Sequence, residues 1–370
     1  MKLKSFRNYE EITLNPDAEV NLFYGQNGSG KTNLLEAIHY TALGRSHRVT
    51  NDANVIRTGE SMASCTVRIR NRFGSREVTI RFQPSQQQKK EILIDQKKIQ
   101  KLSDLMGCVC CVIFSPEDLD LIREGPLLRR RYLDMMISQV DKRYFTSLQQ
   151  YRTGLEQRNT ILRNTRLNAP ADSAMLSVFE EAMAQAASGI ILKRRETVRI
   201  LSDLASETYR RISGTDEAFS VHYKSTVREE ENIFEALCRM YRESREDDIR
   251  LGVTSAGPHR DDLNLMLNGH PMKTFASQGQ VRTGALSLKL SQMGILKDIS
   301  GEDPVLLLDD VMSELDRSRR ASLIRELHSF QTFITCTDKD DMELRNVSKI
   351  WKISSTGGRG SLEEDIECFT

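Results

Sequence analysis

Eight residues carry the types and spacing that triphosphate chemistry needs: Gly25-Gln26-Asn27-Gly28-Ser29-Gly30-Lys31-Thr32. They fit G-x-x-x-x-G-K-[ST] in full. Glycines let the main chain wrap phosphates, and a helix N-terminus turns free N–H groups toward their charge. Lys31 is the cation for the β- and γ-phosphates, and Thr32 offers a hydroxyl to Mg²⁺. Such a loop needs a carboxylate from the end of a neighbouring strand to hold the metal. Asp309 has that position, after the apolar run Val305-Leu306-Leu307-Leu308. Asp310 follows, placed to polarise an attacking water. The metal pair is therefore Thr32 and Asp309, and Lys31 and Asp310 are catalytic candidates.

These residues need a strand before the loop and a helix after it. Val20-Asn21-Leu22-Phe23-Tyr24 reads as a buried strand, and residues 33–43 as a helix closed by Gly44. Residues 3–6 and 12–14 add strands. Residues 65–70 and 78–82 alternate apolar and polar side chains around a turn at 71–75, and 84–88 form another loop. Residues 108–114 read as a buried strand holding three of the seven cysteines. From about 119 to 213 turn residues thin out and apolar residues recur at helical spacing, broken at 168–172. This predicts an antiparallel helical arm with its tip near Pro170. A strand at 219–223 and a charged helix over 229–246 follow. Asn268-Gly269 predicts a hairpin between 263–267 and Met272-Lys273. The expected fold class is α/β: a two-lobed head with an inserted arm, divided as 1–118, 119–216 and 217–370.

The formal charge of the 370 residues is only +1, so any nucleic-acid surface must be local. Residues 68–101 are locally basic. Alternation puts Arg68, Arg70 and Arg72 on one strand face, which suits phosphate contacts that read no bases. Arg45 and Arg48 are a second candidate, whereas the run Arg129-Arg130-Arg131 points several ways around a helix and suits structural pairing. The cysteines lack a disulfide framework or a metal spacing and read as small buried thiols. No apolar run approaches a signal core or a membrane span, so the cytosol is expected and a membrane is not.

Ser277-Gln278-Gly279-Gln280 opens another helix. By itself it reads equally well as a polar N-cap. Its order in the chain adds weight: phosphate loop, polar turn, strand with paired acids, then Ser313-Glu314-Leu315-Asp316. That is the order of an ABC-type P-loop ATPase head. There Ser277 and the helix start would meet the γ-phosphate held by a second subunit, adding Ser277 to the catalytic candidates and Gly279 and Gln280 to the nucleotide set.

Nearly the whole chain resembles the RecF family of bacterial repair proteins, relatives of the SMC and RecN ATPases. The stretches that carry the resemblance include Phe6-Arg7-Asn8-Tyr9, Leu43-Gly44-Arg45-Ser46-His47-Arg48, Phe114-Ser115-Pro116-Glu117-Asp118-Leu119, Gly257-Pro258-His259-Arg260-Asp261-Asp262 and Leu308-Asp309-Asp310-Val311-Met312. The resemblance implies nucleotide contacts at Arg7, Asn8 and Asn33 besides the loop. It implies ATP and Mg²⁺ as cofactors and a homodimer formed with ATP on duplex or gapped DNA. It also implies work with RecR and RecO in loading RecA. Ser115-Pro116-Glu117 stands where transporter heads carry a glutamine, Thr335-Cys336-Thr337 where they carry a histidine, and Asp310 where they carry a glutamate. Val281 replaces a second glutamine. These departures suit a slow ATPase used as a switch. They argue against a transporter subunit, and the short arm argues against a purely chromosome-organising ATPase.

Overall fold

The computed structural model describes all residues except 50, 73, 85–89, 168–172, 328–329, 339–346 and 366–370. Strands β1 (Lys2–Phe6), β2 (Tyr9–Thr13) and β3 (Val20–Tyr24) precede helix α1 (Lys31–Leu43). Next come β4 (Ala63–Asn71), β5 (Gly74–Phe82), β6 (Lys90–Ile94), β7 (Lys97–Lys98) and β8 (Cys111–Phe114). A helical stretch follows: α2 (Asp120–Arg123), α3 (Pro126–Val140), α4 (Lys142–Arg166) and α5 (Ser173–Ser213). Then β9 (Phe219–Lys224), α6 (Ile233–Glu243), α7 (Arg245–Leu251), β10 (Asp262–Leu267), β11 (His270–Pro271), α8 (Met272–Phe275) and α9 (Gln278–Ser300). The chain closes with β12 (Val305–Asp309), α10 (Val311–Glu314), α11 (Arg317–Leu327), β13 (Thr332–Cys336), β14 (Lys349–Thr356) and β15 (Arg359–Glu364).

Twelve strands form one mixed sheet in the order β7-β6-β5-β4-β1-β2-β15-β14-β3-β13-β12-β8. From β14 to β8 neighbouring strands are parallel. These strands are nearly continuous apolar runs because helices cover both faces. The two faces sort by residue parity. Phe23, Leu307 and Phe333 pack with Leu34, Leu35 and Ile38 of α1. Leu22, Leu306, Leu308 and Ile334 face the other way, into a core shared with α3, α5 and α9. On the other half of the sheet β4 and β5 alternate buried and exposed positions, as expected of half-exposed strands. β9, β10 and β11 form a separate antiparallel sheet.

The α/β head and the paired long helices match the expected fold class. The tip of the α4–α5 pair, near Pro170, lies outside the described residues, as do Phe73 in the first hairpin turn and residues 85–88 of the next loop. α5 is long and apolar enough to cross a membrane by composition alone, which the sequence reading had not anticipated. Its apolar face, Ile190, Ile191, Val198, Leu201 and Ala205, is buried in the main core, and the helix packs on α4, α9 and β9. The strand expected from residue 108 starts only at Cys111, so Cys108 and Cys110 lie in the preceding turn and are partly exposed. Among the described residues the six cysteines are free thiols, and none joins a metal-ligating cluster. The charged helix over 229–246 is two helices, α6 and α7, separated at Ser244. The Asn268-Gly269 turn forms, with both residues at positive φ as a type I′ hairpin requires. Its second strand is only His270–Pro271, and Met272 already begins α8.

The α4–α5 pair is tied to the head by a buried charge cluster. Arg158 of α4 is fully buried and donates to Glu180 of α5, to Asp248 of α7 at 2.7 Å and to the Thr254 hydroxyl at 2.9 Å. Arg245 grips the other side of Glu180 at 2.6 Å. Removing one member strands the others in a low-dielectric interior. Arg158→Met should therefore lower unfolding free energy by about 3–5 kcal/mol, read by urea denaturation. A loss below about 1 kcal/mol would show that the carboxylates find other partners.

Candidate nucleotide site

The phosphate loop joins β3 to α1, and α1 begins at Lys31, two residues earlier than expected. Two glycines are required by its geometry. A Cβ at Gly25 would lie 2.1 Å from the Ile353 carbonyl oxygen of β14. Gly30 has φ 118°, and a Cβ there would meet the Asn8 side-chain amide at 2.6 Å. Asn8 explains that crowding: its Nδ2 donates to the Ser29 carbonyl at 2.7 Å, and the buried Tyr9 hydroxyl donates to the Gly30 carbonyl at 3.0 Å. Asn33 donates to Asn8 Oδ1 at 2.9 Å. Asn8 and Asn33 thus brace the loop from behind.

Lys31 Nζ lies inside the loop, donating to the Gly25 carbonyl at 2.6 Å and the Gln26 carbonyl at 3.1 Å. Burial pulls its ammonium below the ordinary value, and Asp310 exerts the strongest carboxylate pull the other way. Thr32 Oγ1 donates to Asp309 Oδ1 at 2.9 Å across 277 positions of sequence. A hydroxyl and a carboxylate at that separation are the hard oxygen donors that Mg²⁺ takes from protein when phosphates and water supply the rest. They fit the metal expected there. Burial raises the Asp309 carboxyl above its ordinary range, against hydrogen bonds from Thr335 and Thr32, and a bound cation would reverse that rise.

The sequence reading placed Asp309 on a strand beside β3, but β13 lies between them. The gap is spanned by a residue that reading had noted only as a departure. Thr335, fully buried near the end of β13, donates to Asp309 Oδ1 at 2.8 Å, and its oxygen accepts the Asp310 amide at 2.9 Å. One hydroxyl therefore holds the Asp309 carboxylate and the main chain of Asp310. Asp310 has left-handed backbone, φ 54°, where the chain turns into α10. Glu117 and Arg48 also reach Asp309 electrostatically, the first raising and the second lowering its pKa. Glu117 was legible only as an occupant of the place where transporter heads have glutamine.

Arg7 has a partner that sequence spacing does not reveal. Its guanidinium grips the fully buried Glu36 of α1, with Nη2 to Oε1 at 2.6 Å and Nε to Oε2 at 2.8 Å. Burial alone would raise the Glu36 carboxyl, but bonds from Arg7 and Ser46 hold it below its ordinary value. Arg7 thus ties the start of the chain to the loop helix.

Ser277 caps α9, and its oxygen accepts the Gln280 amide at 3.3 Å while Gln280 Oε1 accepts the Ser277 amide at 2.7 Å. Gln280 Nε2 also donates to Glu217 at 2.6 Å. Among the described residues no hydrogen bond joins Ser277, Gly279 or Gln280 to the phosphate loop of the same chain. Ser277 is exposed, so its oxygen is accessible to a second molecule. Arg319 links this helix start to the motif after Asp310, bonding Thr283 Oγ1 at 2.7 Å and pairing with Asp316.

The basic residues separate. Arg68 and Arg70 are exposed on β4, and Arg68 pairs with Glu77 across the hairpin at 3.1 Å. Arg72 does not share that strand face: β4 ends at Asn71, and Arg72 Nε lies 2.8 Å from Glu302. Arg68 and Arg70, with Asn71 and Glu302, line a groove of about 1450 Å³, where Glu19, Val305 and Gln331 mark the starting ends of the parallel strands. The phosphate loop is at the other end. Arg48 lies near it, donating to Asn33 Oδ1 at 3.1 Å, and Arg45 lies half-buried in the same turn.

Thr335→Val keeps the shape of β13 and deletes the hydroxyl that holds both acids. Stability should fall by about 1–3 kcal/mol, and Mg²⁺-dependent ATP hydrolysis by about tenfold or more, measured by denaturation and steady-state turnover. Parental turnover would show that Asp309 needs no such anchor.

The RecF/RecN/SMC N-terminal domain model matches residues 1–359. The DNA replication and repair protein RecF of Lactobacillus johnsonii is 38% identical over 363 residues, covering 96% of each chain. The Clostridium acetobutylicum protein of the same name is 38% identical and covers 95% of this chain and 96% of its own. A solved structure of the recombination mediator protein RecF with ATP, from the RecFOR pathway, superposes with TM-score 0.90 at 35% identity over 98% of this chain and 96% of that one. The Smc head domain of Pyrococcus furiosus, at TM-score 0.57 and 16% identity over 98% of this chain, shares the fold. The loop, the Thr32–Asp309 pair and the exposed helix start thus stand in a chain that belongs to the RecF family of DNA replication and repair proteins.

Proposed function

We propose that this chain is an ATP-switched DNA-binding protein of recombinational repair. Mg²⁺-ATP binds at residues 25–33, with Lys31 on the β- and γ-phosphates and Thr32 and Asp309 holding the metal. The observation that carries this is the meeting of Lys31, Thr32 and Asp309 in one buried site from distant parts of the chain. ATP bound to the solved RecF relative supports it.

ATP then joins two heads, with Ser277 of each offered to the nucleotide of the other. The exposed α9 start supports a composite site, since its own loop is not its partner. Asp310 orients the attacking water. Hydrolysis is slow and stimulated by DNA, and it releases the dimer. Duplex or gapped DNA contacts basic residues of the head, with Arg45 and Arg48 in the turn after α1 and Arg68 and Arg70 on β4 as the candidates. RecR and RecO act with the dimer in loading RecA in the cytoplasm, a reading that rests on the family and on the pathway of the solved relative.

Complementation tests the composite site. Ser277→Arg should still bind ATP as a monomer but not dimerise. Lys31→Met loses a charge-assisted contact of about 1.5–3 kcal/mol, so its ATP affinity should fall by about one order of magnitude or more. A mixture of the two variants retains one intact site per heterodimer, so sedimentation with ATP should show dimer in the mixture and little in either variant alone. Normal dimerisation by Ser277→Arg would reduce the motif to a helix cap.

A further inference from the structure

A pocket of about 310 Å³ opens where the turn after α1 meets the foot of the α4–α5 pair. Five arginines line it from four segments: Arg45 from the turn, Arg130 and Arg131 from α3, Arg152 from α4 and Arg194 from α5. Leu148, Leu155 and Tyr151 supply apolar wall. Sequence periodicity had scattered the α3 arginines around a helix and assigned them to structural pairing.

The cationic charge is poorly compensated. Asp134 is the one carboxylate in the lining, and the buried Arg194 takes it at 2.7 Å, alongside the Tyr144 hydroxyl at 2.5 Å. Asp261, beneath, is 3.8 Å from the same Arg194 and accepts from the Tyr223 hydroxyl and the Thr226 amide. Among the described residues Arg130 and Arg131 bond only main-chain carbonyls: Asp261 for the first, Ser46 and His47 for the second. Arg152 lies 3.8 Å from Asp134 with 55% of its side chain exposed. Arg45 has no hydrogen bond or ion pair among the described residues. His259 adds no charge at neutral pH, since burial pushes its imidazole down to about 4.

Guanidinium groups stay ionised whatever the cost of crowding. Burial, then Arg152 and Arg131, lower the Arg45 pKa, and burial and then Arg152 act likewise on Arg131. Fixed cations against apolar walls attract an anion more strongly than the same charges in water. Planar guanidinium forks match phosphate oxygens with two parallel N–H donors each. The rim is open at Arg152 and at Leu127, which is 69% exposed, so a chain can pass across the mouth. Arg45 also stands three residues from Arg48, whose charge reaches Asp309.

We propose that this pocket seats one backbone phosphate of bound DNA, held by Arg45, Arg131 and Arg152. The proposal rests on the DNA-binding reading above and sharpens it, placing a contact at the foot of α4 and α5 rather than on β4. The arginine cluster then stores repulsion in the free protein that DNA relieves.

The test compares Arg45→Gln/Arg152→Gln with the charge-matched Arg68→Gln/Arg70→Gln. Affinity for a duplex of about 30 base pairs is measured between about 50 and 200 mM salt, and thermal midpoints are read without DNA. The first variant should bind more weakly, with a salt slope shallower by about 0.9, the value for one phosphate. Its midpoint should equal or exceed the parent's, because repulsion has been removed. An unchanged slope in that variant, with a shallower one in Arg68→Gln/Arg70→Gln, would put DNA on β4 and overturn the pocket while leaving DNA binding intact. If the parent binds no duplex, the DNA reading falls and this proposal with it. A thermal shift with inorganic phosphate, present in the parent and lost in Arg45→Gln/Arg152→Gln, would then assign the pocket to free phosphate.

Discussion

The hydroxyl of Thr335 carries more of this site than its size suggests. The phosphate loop and the candidate metal-binding acid, Asp309, come from strands that do not touch, because β13 separates β3 from β12. Asp309 is buried and would resist ionisation, yet holding a cation, as proposed, needs it charged and correctly aimed. Thr32 and Thr335 meet one oxygen of Asp309 from either side, at 2.9 and 2.8 Å. Hydrogen bonds to a charged acceptor in such surroundings are strong and directional. The same Thr335 oxygen accepts the Asp310 amide, so the candidate metal ligand and the main chain of the candidate water-orienting acid share one support. A change in their positions moves both.

Other buried charges extend this rigidity outward. Glu36 fastens α1, and so the phosphate loop, to Arg7 before β2 and to Ser46 in the turn that carries Arg45 and Arg48. Asp134 and Arg194 join α3 to α5, and Arg158 joins α4 to α5 and α7. Pairs of this kind contribute little net stability because desolvation opposes them, but losing one partner is costly. Their effect is to fix geometry. The turn at 45–48 is bound to the loop helix on one side and borders the helical pair on the other, which gives that turn a short mechanical route to the phosphate loop.

Much of this was legible in the chain. The loop, its strand and its helix are local in sequence, and turn chemistry and apolar runs mark them directly. The strand ending in Asp309 was legible for the same reason. What local pattern cannot give is strand order: nothing in residues 305–310 or 332–336 says that β13 inserts between β3 and β12, so the part played by Thr335 was hidden. The cysteine strand was drawn too long because Cys108 and Cys110 are apolar by type yet lie in a turn. Arg72 was assigned by alternation to a strand that had already ended, and Glu302, 230 positions away, takes it. The pairing of Arg7 with Glu36 was hidden as well, because Glu36 looks like an ordinary polar position on a helix. Long-range pairing of charges is where sequence spacing carries least information.

The account turns on ATP joining two heads through a site that neither completes alone. Its most direct test is the mass of the protein in solution by sedimentation, with and without Mg²⁺-ATP and a gapped duplex. A protein of 42.2 kDa alone should double with ATP, and the dimer should be retained on the duplex. A mass that stays at the monomer value with saturating Mg²⁺-ATP and DNA would contradict the composite site.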